Sequence, residues 1–353
     1  MELFKAVVSD DDISDLHITI NMKPVIRKNG KLQAFEAYPE KIDIDKLREI
    51  NQTIMDEEQL EIFEEKGELD FSYSIPGLAR FRVNAYHQRG FTSLALRIIP
   101  TQIPTVDELG LPDILKKLAM QRKGLVLTTG PTGSGKSTTL AAMINEINVT
   151  QNSHILTLED PIEYLHKHKK CIVHQREVGV DTQNFANGLR AALRQDPDVI
   201  LVGEMRDLET ISIALEAAET GHLVFANLHT SDAPSTIDRI IDVFPAHQQQ
   251  QVRIQLSSAL NGVISQQLLP KKGGSGRVAA IEVLIGTAAV RNIIREGKSA
   301  QLETTMQTGA KYGMIVLNNY LLNLYKKGLI DKEMAVSRSN NPDYIKKRLN
   351  PSI

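Results

Sequence analysis

The chain has 353 residues, 42% of them apolar, so it is long enough for two or three domains with ample core. Its 41 Lys and Arg against 43 Asp and Glu give a net charge of −2, which lacks the basic excess typical of proteins that bind nucleic acid. The single cysteine, Cys171, excludes an internal disulfide and a four-cysteine zinc site; the acidic N-terminus and the lack of an apolar run of about 18 residues favour neither a signal peptide nor a membrane span.

Residues 1–100 have the patterns of a small α+β domain. The stretches 15–20 and 24–28 alternate polar and apolar residues, and Asn29-Gly30 follows as a hairpin turn signal. Apolar residues then recur with helical spacing from Ile44 to Glu65, which predicts helix over that stretch.

A second hairpin is predicted from residues 79–86 and 91–98. A two-residue loop at Arg89-Gly90 sets a register in which Arg82 faces Arg97. The buried face would then hold Phe81, Val83, Leu94, Leu96 and Ile98. Two facing arginines are tolerated in water, whereas a covered face would call for an anion between them, and both interpretations stay open.

The proline-rich stretch 101–112 predicts a linker between domains. A short helix over 114–119 is followed by apolar runs that are typical of strands buried on both faces, at residues 125–129, 154–158, 199–202, 223–226 and 279–285. Strands of this kind that alternate with helices predict an α/β domain with a parallel sheet over 113–285, which binds ligands at the carboxyl ends of its strands. Residues 286–353 are predicted to be mostly helical.

The segment Gly130–Thr138 reads GPTGSGKST and matches G-x-x-x-x-G-K-[ST] between an apolar strand and an amphipathic helix, the context of a phosphate-binding loop. Glycines allow backbone N–H groups to converge on phosphate oxygens, while Lys136 would neutralise β/γ oxygens and Ser137 would hold Mg²⁺. The predicted ligand is therefore a polyphosphate with Mg²⁺. The predicted nucleotide-binding residues are Gly130, Thr132, Gly133, Ser134, Gly135, Lys136, Ser137 and Thr138.

A nucleotide hydrolase also needs carboxylates beside this loop. Glu204 follows the strand 199–202 at its carboxyl end, whereas Asp198 lies at the opposite end and is expected to be structural. Pro161 suits a first helical position, so Asp160 is a plausible N-cap. Glu163 could then be a general base or part of a capping box, and the residues alone leave both open.

Histidines flank the next strand: His222 follows Gly221, and His229 lies at the carboxyl end. His222 is expected to be structural, and His229 is a candidate for the site. The arginines of the same region are Arg190, Arg194 and Arg206, with Arg190 and Arg194 spaced to share a helix face; either salt-bridged surface or a role in the site fits them.

Together these segments resemble the secretion-system ATPase superfamily, and within it the PilT-type type IV pilus retraction (twitching motility) ATPases. The resemblance lies in Gly130–Thr138 (Walker A), 157–164 (Asp box), 200–207 (atypical Walker B) and 220–230 (His box). It implies a RecA-like P-loop ATPase core, an N-terminal PAS-like α+β domain and a homohexameric ring.

The resemblance also implies roles for single residues. Glu163 matches the catalytic glutamate, Glu204 the Walker B acid associated with Mg²⁺ and water, and His229 a nucleotide-sensing histidine. Arg82 and Arg97 match arginines that reach the phosphates as the domains close.

Two features favour retraction over assembly. Assembly-type relatives usually carry a longer N-terminal region and a tetracysteine zinc insert, and neither is expected here; the segment 289–296, AVRNIIRE, is similar to the AIRNLIRE helix of retraction types. The implied partners are an inner-membrane platform protein and, indirectly, pilin, with the motor cytoplasmic and peripheral at the membrane. Three alternatives remain: a pilus or type II secretion assembly ATPase, a RecA-type nucleic-acid motor, and a non-catalytic nucleotide-binding module.

Overall fold

A computed structural model describes residues 2–10, 12–100, 102–274 and 276–349. The predicted domain and linker bounds also include residues 1, 11, 101, 275 and 350–353, which lie outside the described ones. Contacts divide the chain into two units: Met1–Gln102 with Glu163–Leu165, and Ile103–Ile162 with His166–Ile353. Most of the predicted linker is therefore grouped with the second unit.

The first unit is an antiparallel sheet with helices, as the sequence predicts. Its strands are β1 Ile13–Thr19, β2 Val25–Lys28, β3 Lys31–Ala34, β4 Glu68–Ile75, β5 Ala79–Gln88 and β6 Phe91–Ile99, in the sheet order β3-β2-β1-β6-β5-β4. Its helices are α1 Glu2–Val8, α2 Ile44–Ile54 and α3 Glu57–Lys66. The helical stretch predicted from Ile44 to Glu65 is thus two helices, because Asp56 forms a capping box with Gln59 and starts a new helix.

Both predicted hairpins are present in this unit. Asn29 and Gly30 form the β2–β3 turn with φ of 50° and 80°, and Lys28 pairs with Lys31. The β5–β6 ladder has the predicted register, with Arg82 opposite Arg97. Phe81, Val83, Leu94 and Leu96 are buried in one core and Ile98 is partly buried against it, which confirms the predicted face.

The second unit is a seven-stranded mixed sheet covered by helices on both faces. Its strands are β7 Gly124–Thr129, β8 His154–Glu159, β9 Ile172–Glu177, β10 Val199–Val202, β11 Leu223–Asn227, β12 Leu260–Pro270 and β13 Arg277–Ile285, in the order β13-β12-β7-β11-β10-β8-β9. Its helices are α4 Ile114–Ala119, α5 Lys136–Thr150, α6 Phe185–Ala192, α7 Leu208–Thr220, α8 Ala233–Asp242, α9 Ala246–Ala259, α10 Ala288–Arg295, α11 Leu302–Thr308, α12 Leu317–Lys326, α13 Lys332–Ser337 and α14 Pro342–Leu349. The α/β fold class is confirmed.

The prediction of a wholly parallel sheet is wrong at one edge. β13 pairs with β12 in antiparallel fashion, while β12 runs parallel to β7. Neither β9 nor β12 was predicted, because both strands mix buried apolar residues with polar ones whose partners lie elsewhere in the chain. The central strands are buried on both faces as expected, since Leu125 and Leu127 pack in one cluster and Val126 in another.

Two further expectations concern the ends of the second unit. Residues 103–112 form neither helix nor strand, yet Val106 and Leu111 are buried in its core. The helix expected over 289–296 is present as α10, in which Val290 and Ile294 are buried and Arg291 donates to the carbonyl of Gly286 at 2.9 Å. Over the described residues, no helix is both long and apolar enough to cross a membrane.

Candidate active site

The phosphate-binding loop connects β7 to α5, as predicted. Gly130, Gly133 and Gly135 have φ of 143°, 76° and 86°, a region that side chains disfavour. A Cβ atom at Gly130 would lie 2.2 Å from the carbonyl oxygen of Gln266 in β12, so no larger residue fits there. The motif's glycines therefore meet both a conformational and a steric requirement.

Lys136 opens α5 and folds back over the loop. Its Nζ donates to the carbonyl oxygens of Gly130 at 2.7 Å and Pro131 at 3.1 Å, and the residue is 6% exposed. Burial of an ammonium group requires such partners, because an unpaired buried charge is costly. The lysine is thus held at the point where an anion bound by the loop would meet it.

The other predicted loop residues differ in accessibility. Thr132 is exposed, while Ser137 and Thr138 are half-buried in the first turn of α5. Ser134 is 2% exposed, and its Oγ has no hydrogen-bond partner among the described residues. Hydroxyl groups therefore lie within and directly after the loop, together with the N–H groups at the start of the helix.

Glu204 and His229 come together at the carboxyl ends of β10 and β11. The His229 Nε2 lies 2.8 Å from the Glu204 Oε1, and Arg206 donates to the same oxygen. The side chain of Glu204 is 19% exposed, and its carboxylate raises the pKa of Arg206 through that hydrogen bond. The strands β7, β11 and β10 lie side by side and run parallel. The Glu204–His229 pair and the phosphate-binding loop therefore lie at the same edge of the sheet, beyond the carboxyl ends of these strands.

The segment after His229 is fixed by side chains from neighbouring strands. The Thr129 hydroxyl donates to the carbonyl of Thr230 at 2.7 Å, and the Ser265 hydroxyl donates to the carbonyl of Ser231 at 2.7 Å. The Glu282 carboxylate accepts from the backbone N–H of Ala233, the first residue of α8, at 3.0 Å. We call residues 229–233 the histidine loop.

Glu282 is an acid that sequence reasoning missed. It is 5% exposed, and burial raises its pKa to about 7. Hydrogen bonds from the backbone of Ala233 and Leu317 act in the opposite direction, while the charges of Asp232 and Glu303 add to the rise. The carboxylate thus meets the N-termini of both α8 and α12, where helix N–H groups favour an anion.

The other polar residues singled out in the sequence have mostly structural partners, and Asp198 and His222 lie at the opposite, amino-terminal ends of β10 and β11. The Asp198 carboxylate accepts from the backbone N–H of His154 at 2.8 Å, and His222 lies 3.0 Å from the carbonyl of Ala217, so both are structural as expected. Arg190 pairs with Glu209. The prediction that Arg190 and Arg194 share a helix face is wrong, because α6 ends at Ala192, before Arg194.

The helix predicted after Asp160 is absent, since residues 160–171 form neither helix nor strand. Their backbone donors bond to side chains of β9 instead: Ile162 N–H donates to the Glu177 carboxylate at 3.1 Å, and His166 N–H donates to the Gln175 amide oxygen at 2.7 Å. Asp160 is therefore not an N-cap. Glu163 is exposed and is grouped with the first unit.

In the first unit, Arg82 and Arg97 lie side by side and are exposed. Arg97 Nε donates to the carboxylate of Asp15 in β1 at 2.9 Å. One of the two arginines therefore has an anionic partner within this unit. Burial alone would raise the pKa of Asp15, but hydrogen bonds from Ser14 and Arg97 outweigh it and lower the pKa. The sequence signal for Asp15 was its place in an alternating strand, which does not reveal its partner.

The pKa of Glu282 leads to a prediction about stability. A folded-state pKa near 7, against 4.5 for the free side chain, means that the folded chain holds a proton that the unfolded chain releases. The free energy of unfolding should therefore fall as the pH rises from about 4.5 to 7, by about 3 kcal/mol in total.

Glu282→Gln removes this titration, so its urea midpoint relative to wild type should rise between pH 5 and pH 8. The exposed Glu333→Gln serves as the control and should follow the wild-type profile. Parallel profiles of wild type and Glu282→Gln would contradict the prediction.

Comparison with known proteins shows the family to which the chain belongs. Residues 65–327 match the model of the family described as "Type II/IV secretion system protein". The chain is 51% identical to the type IV pilus retraction ATPase PilT of Pseudomonas aeruginosa, over 94% of this chain and 95% of the relative. It is 49% identical to a twitching motility protein of Neisseria gonorrhoeae, over 91% of this chain and 85% of the relative.

A solved structure extends the likeness to three dimensions. The crystal structure of the pilus retraction motor PilT with bound ADP matches with a TM-score of 0.90 and 50% identity, over 98% of both chains. The resemblance to the secretion-system ATPases is thereby confirmed. The chain belongs to the type II/IV secretion system protein family, and the relatives that it resembles along nearly its whole length include a pilus retraction ATPase.

Proposed function

We propose that this protein is a Mg²⁺-dependent ATPase that works as a homohexameric ring motor and powers retraction of type IV pili. The observation that carries the proposal is the edge of the second sheet, where the phosphate-binding loop and the Glu204–His229 pair follow neighbouring strands. It is supported by similarity along nearly the whole chain to a pilus retraction motor that binds ADP.

The loop residues Gly130, Gly133 and Gly135 would bind the phosphates through their backbone N–H groups, with Thr132, Ser134 and Thr138 completing the loop. Lys136 would turn from the loop carbonyls to the β- and γ-phosphate oxygens. The Ser137 hydroxyl and the Glu204 carboxylate are oxygen ligands of the kind that Mg²⁺ prefers, and they would hold the ion. The ion would supply charge neutralisation at the phosphates.

Hydrolysis requires a water molecule that attacks the γ-phosphorus while the bond to the bridging oxygen breaks. We assign Glu163 to orienting this water and accepting its proton, Glu204 to the metal and water, and His229 to sensing the nucleotide through its contact with Glu204. Arg82 and Arg97 would reach the phosphates when the N-terminal PAS-like domain closes over the RecA-like core. Arginines in such positions contribute about 10³ to 10⁵ in rate.

The ring would act at the cytoplasmic face of the membrane on an inner-membrane platform protein, and through it on pilin. Closure driven by ATP would be converted into rotation or displacement of that partner. On this proposal the protein is cytoplasmic and peripheral to the membrane, and nucleic acid is not an expected partner.

Substitution of the nucleotide-facing residues tests the ATPase site. Lys136→Ala and Glu204→Gln should each lower turnover at least about 100-fold, since the first removes a charge that neutralises the phosphates and the second weakens the hold on Mg²⁺. Steady-state phosphate release by the purified variants measures this. Lys123→Ala and Glu216→Gln change exposed residues of the same type and should keep wild-type turnover. Near-normal activity of either site variant would refute the assignment.

The arginine hairpin is best tested at Arg82, because Arg97→Ala would also leave the buried Asp15 short of a partner. Arg82→Ala should bind ADP as wild type does, while hydrolysis at saturating ATP falls by about 10³. Arg89→Asn, at a turn position with φ of 52°, removes an equal charge from the same hairpin and should leave hydrolysis unchanged. Unchanged hydrolysis in Arg82→Ala would reject its role at the phosphates.

A deletion strain separates retraction from assembly. Loss of a retraction motor leaves pili that are made but do not retract, whereas loss of an assembly motor leaves no pili, so counting surface pili decides between them. Stimulation of the purified ATPase by DNA or RNA would instead indicate a nucleic-acid motor, and nucleotide binding without turnover would indicate a regulatory module.

A further inference from the structure

Gln266 lies beside the phosphate-binding loop because of the way β12 pairs with β7. The parallel register places Ser265 opposite Thr129, the last residue of β7, so the next residue of β12 adjoins Gly130. The 2.2 Å distance between a Cβ built at Gly130 and the Gln266 carbonyl oxygen reflects this close approach. The side chain is 4% exposed.

The amide of Gln266 makes two hydrogen bonds in this buried place. Its Nε2 donates to the carbonyl oxygen of Ser134 at 2.8 Å, in the middle of the loop. Its Oε1 accepts from the hydroxyl of Thr139 in α5 at 2.7 Å. Ser134 and Thr139 are 2% and 1% exposed, so neither group has ready access to water as a substitute partner.

The bond to Ser134 fixes the orientation of one peptide group. Because a trans peptide is planar, its C=O and its N–H point in opposite directions. A Ser134 carbonyl held towards Gln266 therefore turns the Gly135 N–H away from β12. Loops of this type bind phosphates through such backbone N–H groups, so the direction of each one affects affinity.

A third contact closes the arrangement. A Cβ atom at Gly135 would lie 2.8 Å from the Gln266 Nε2, so the amide packs directly against this glycine. The absence of a side chain at Gly135 is thus required by Gln266 as well as by its φ of 86°. Gln266 reaches the loop at its start through the backbone and at its middle through the side chain.

We propose that Gln266 is a positioning residue that pre-orients the phosphate-binding loop for nucleotide by bridging Ser134 and Thr139. The inference rests on the proposed nucleotide-binding function of that loop. A loop that is already ordered loses less entropy on binding, and Gln266 therefore contributes to affinity without touching the nucleotide.

Gln266→Met keeps the length of the side chain and removes both hydrogen bonds. The Kd for ADP should rise about tenfold, the equivalent of one buried hydrogen bond with its orphaned partners. The KM for ATP should rise in parallel, while kcat stays within about threefold. A general loss of folded protein would do the opposite, because it lowers kcat and leaves KM unchanged. Gln267→Met, the next residue on the strand and half-buried, is the matched control and should bind ADP like wild type.

A second pair of variants keeps the test decisive if Gln266→Met does not fold. Thr139→Val removes the hydroxyl that orients the amide, whereas Thr139→Ser retains it. ADP should bind more weakly to the valine variant than to the serine variant. Equal affinities of these two variants would overturn the proposal. A folded Gln266→Met variant with the wild-type Kd for ADP would also overturn it. ADP binding is measured directly and does not depend on hydrolysis. If the wild type binds ADP but does not hydrolyse ATP, the proposed ATPase activity is rejected, and the ADP affinities of the variants still decide the role of Gln266.

Discussion

The parallel pairing of β12 with β7 is the constraint on which both candidate loops depend. Its register brings Ser265 to the end of β7, and adjacent residues of a strand face opposite sides. Ser265 therefore bonds to the histidine loop, while Gln266 bonds to the phosphate-binding loop. Because one strand bonds to both loops, a displacement of β12 would disturb the two loops together.

The features that the sequence predicted correctly are local. The β5–β6 register followed from the two-residue loop at Arg89-Gly90, and the phosphate-binding loop followed from glycines at fixed spacing. The helix α5 followed from apolar residues at helical spacing, among them Leu140 and Ile147, but it is not amphipathic as predicted, since Ala142 and Asn145 on the opposite side are buried as well. Each of these depends on residues within about ten positions of one another, a range in which turn chemistry and periodicity act directly.

The features that escaped prediction depend on distant residues. Gln266 and Glu282 are polar side chains in strands, and only the pairing of β12 and β13 shows that each meets a loop or a helix N-terminus. The segment after Asp160 has the sequence of a helix start, but the buried Glu177 accepts from the Ile162 N–H, which an N-cap side chain would otherwise have bonded. Asp15 likewise finds Arg97 only through the β1–β6 ladder. Periodicity contains no information about such partners.

The environment of Glu204 follows from the same long-range contacts. Arg206 is 76% exposed, so its ion pair with Glu204 is screened by water and contributes little to fixing the carboxylate. The His229 side chain is 43% exposed, but it belongs to a loop whose backbone is held by Thr129, Ser265 and Glu282. The orientation of the Glu204 carboxylate is therefore linked to the histidine loop. Since Glu282 also accepts from the backbone of Leu317, one buried carboxylate joins that loop to the start of α12.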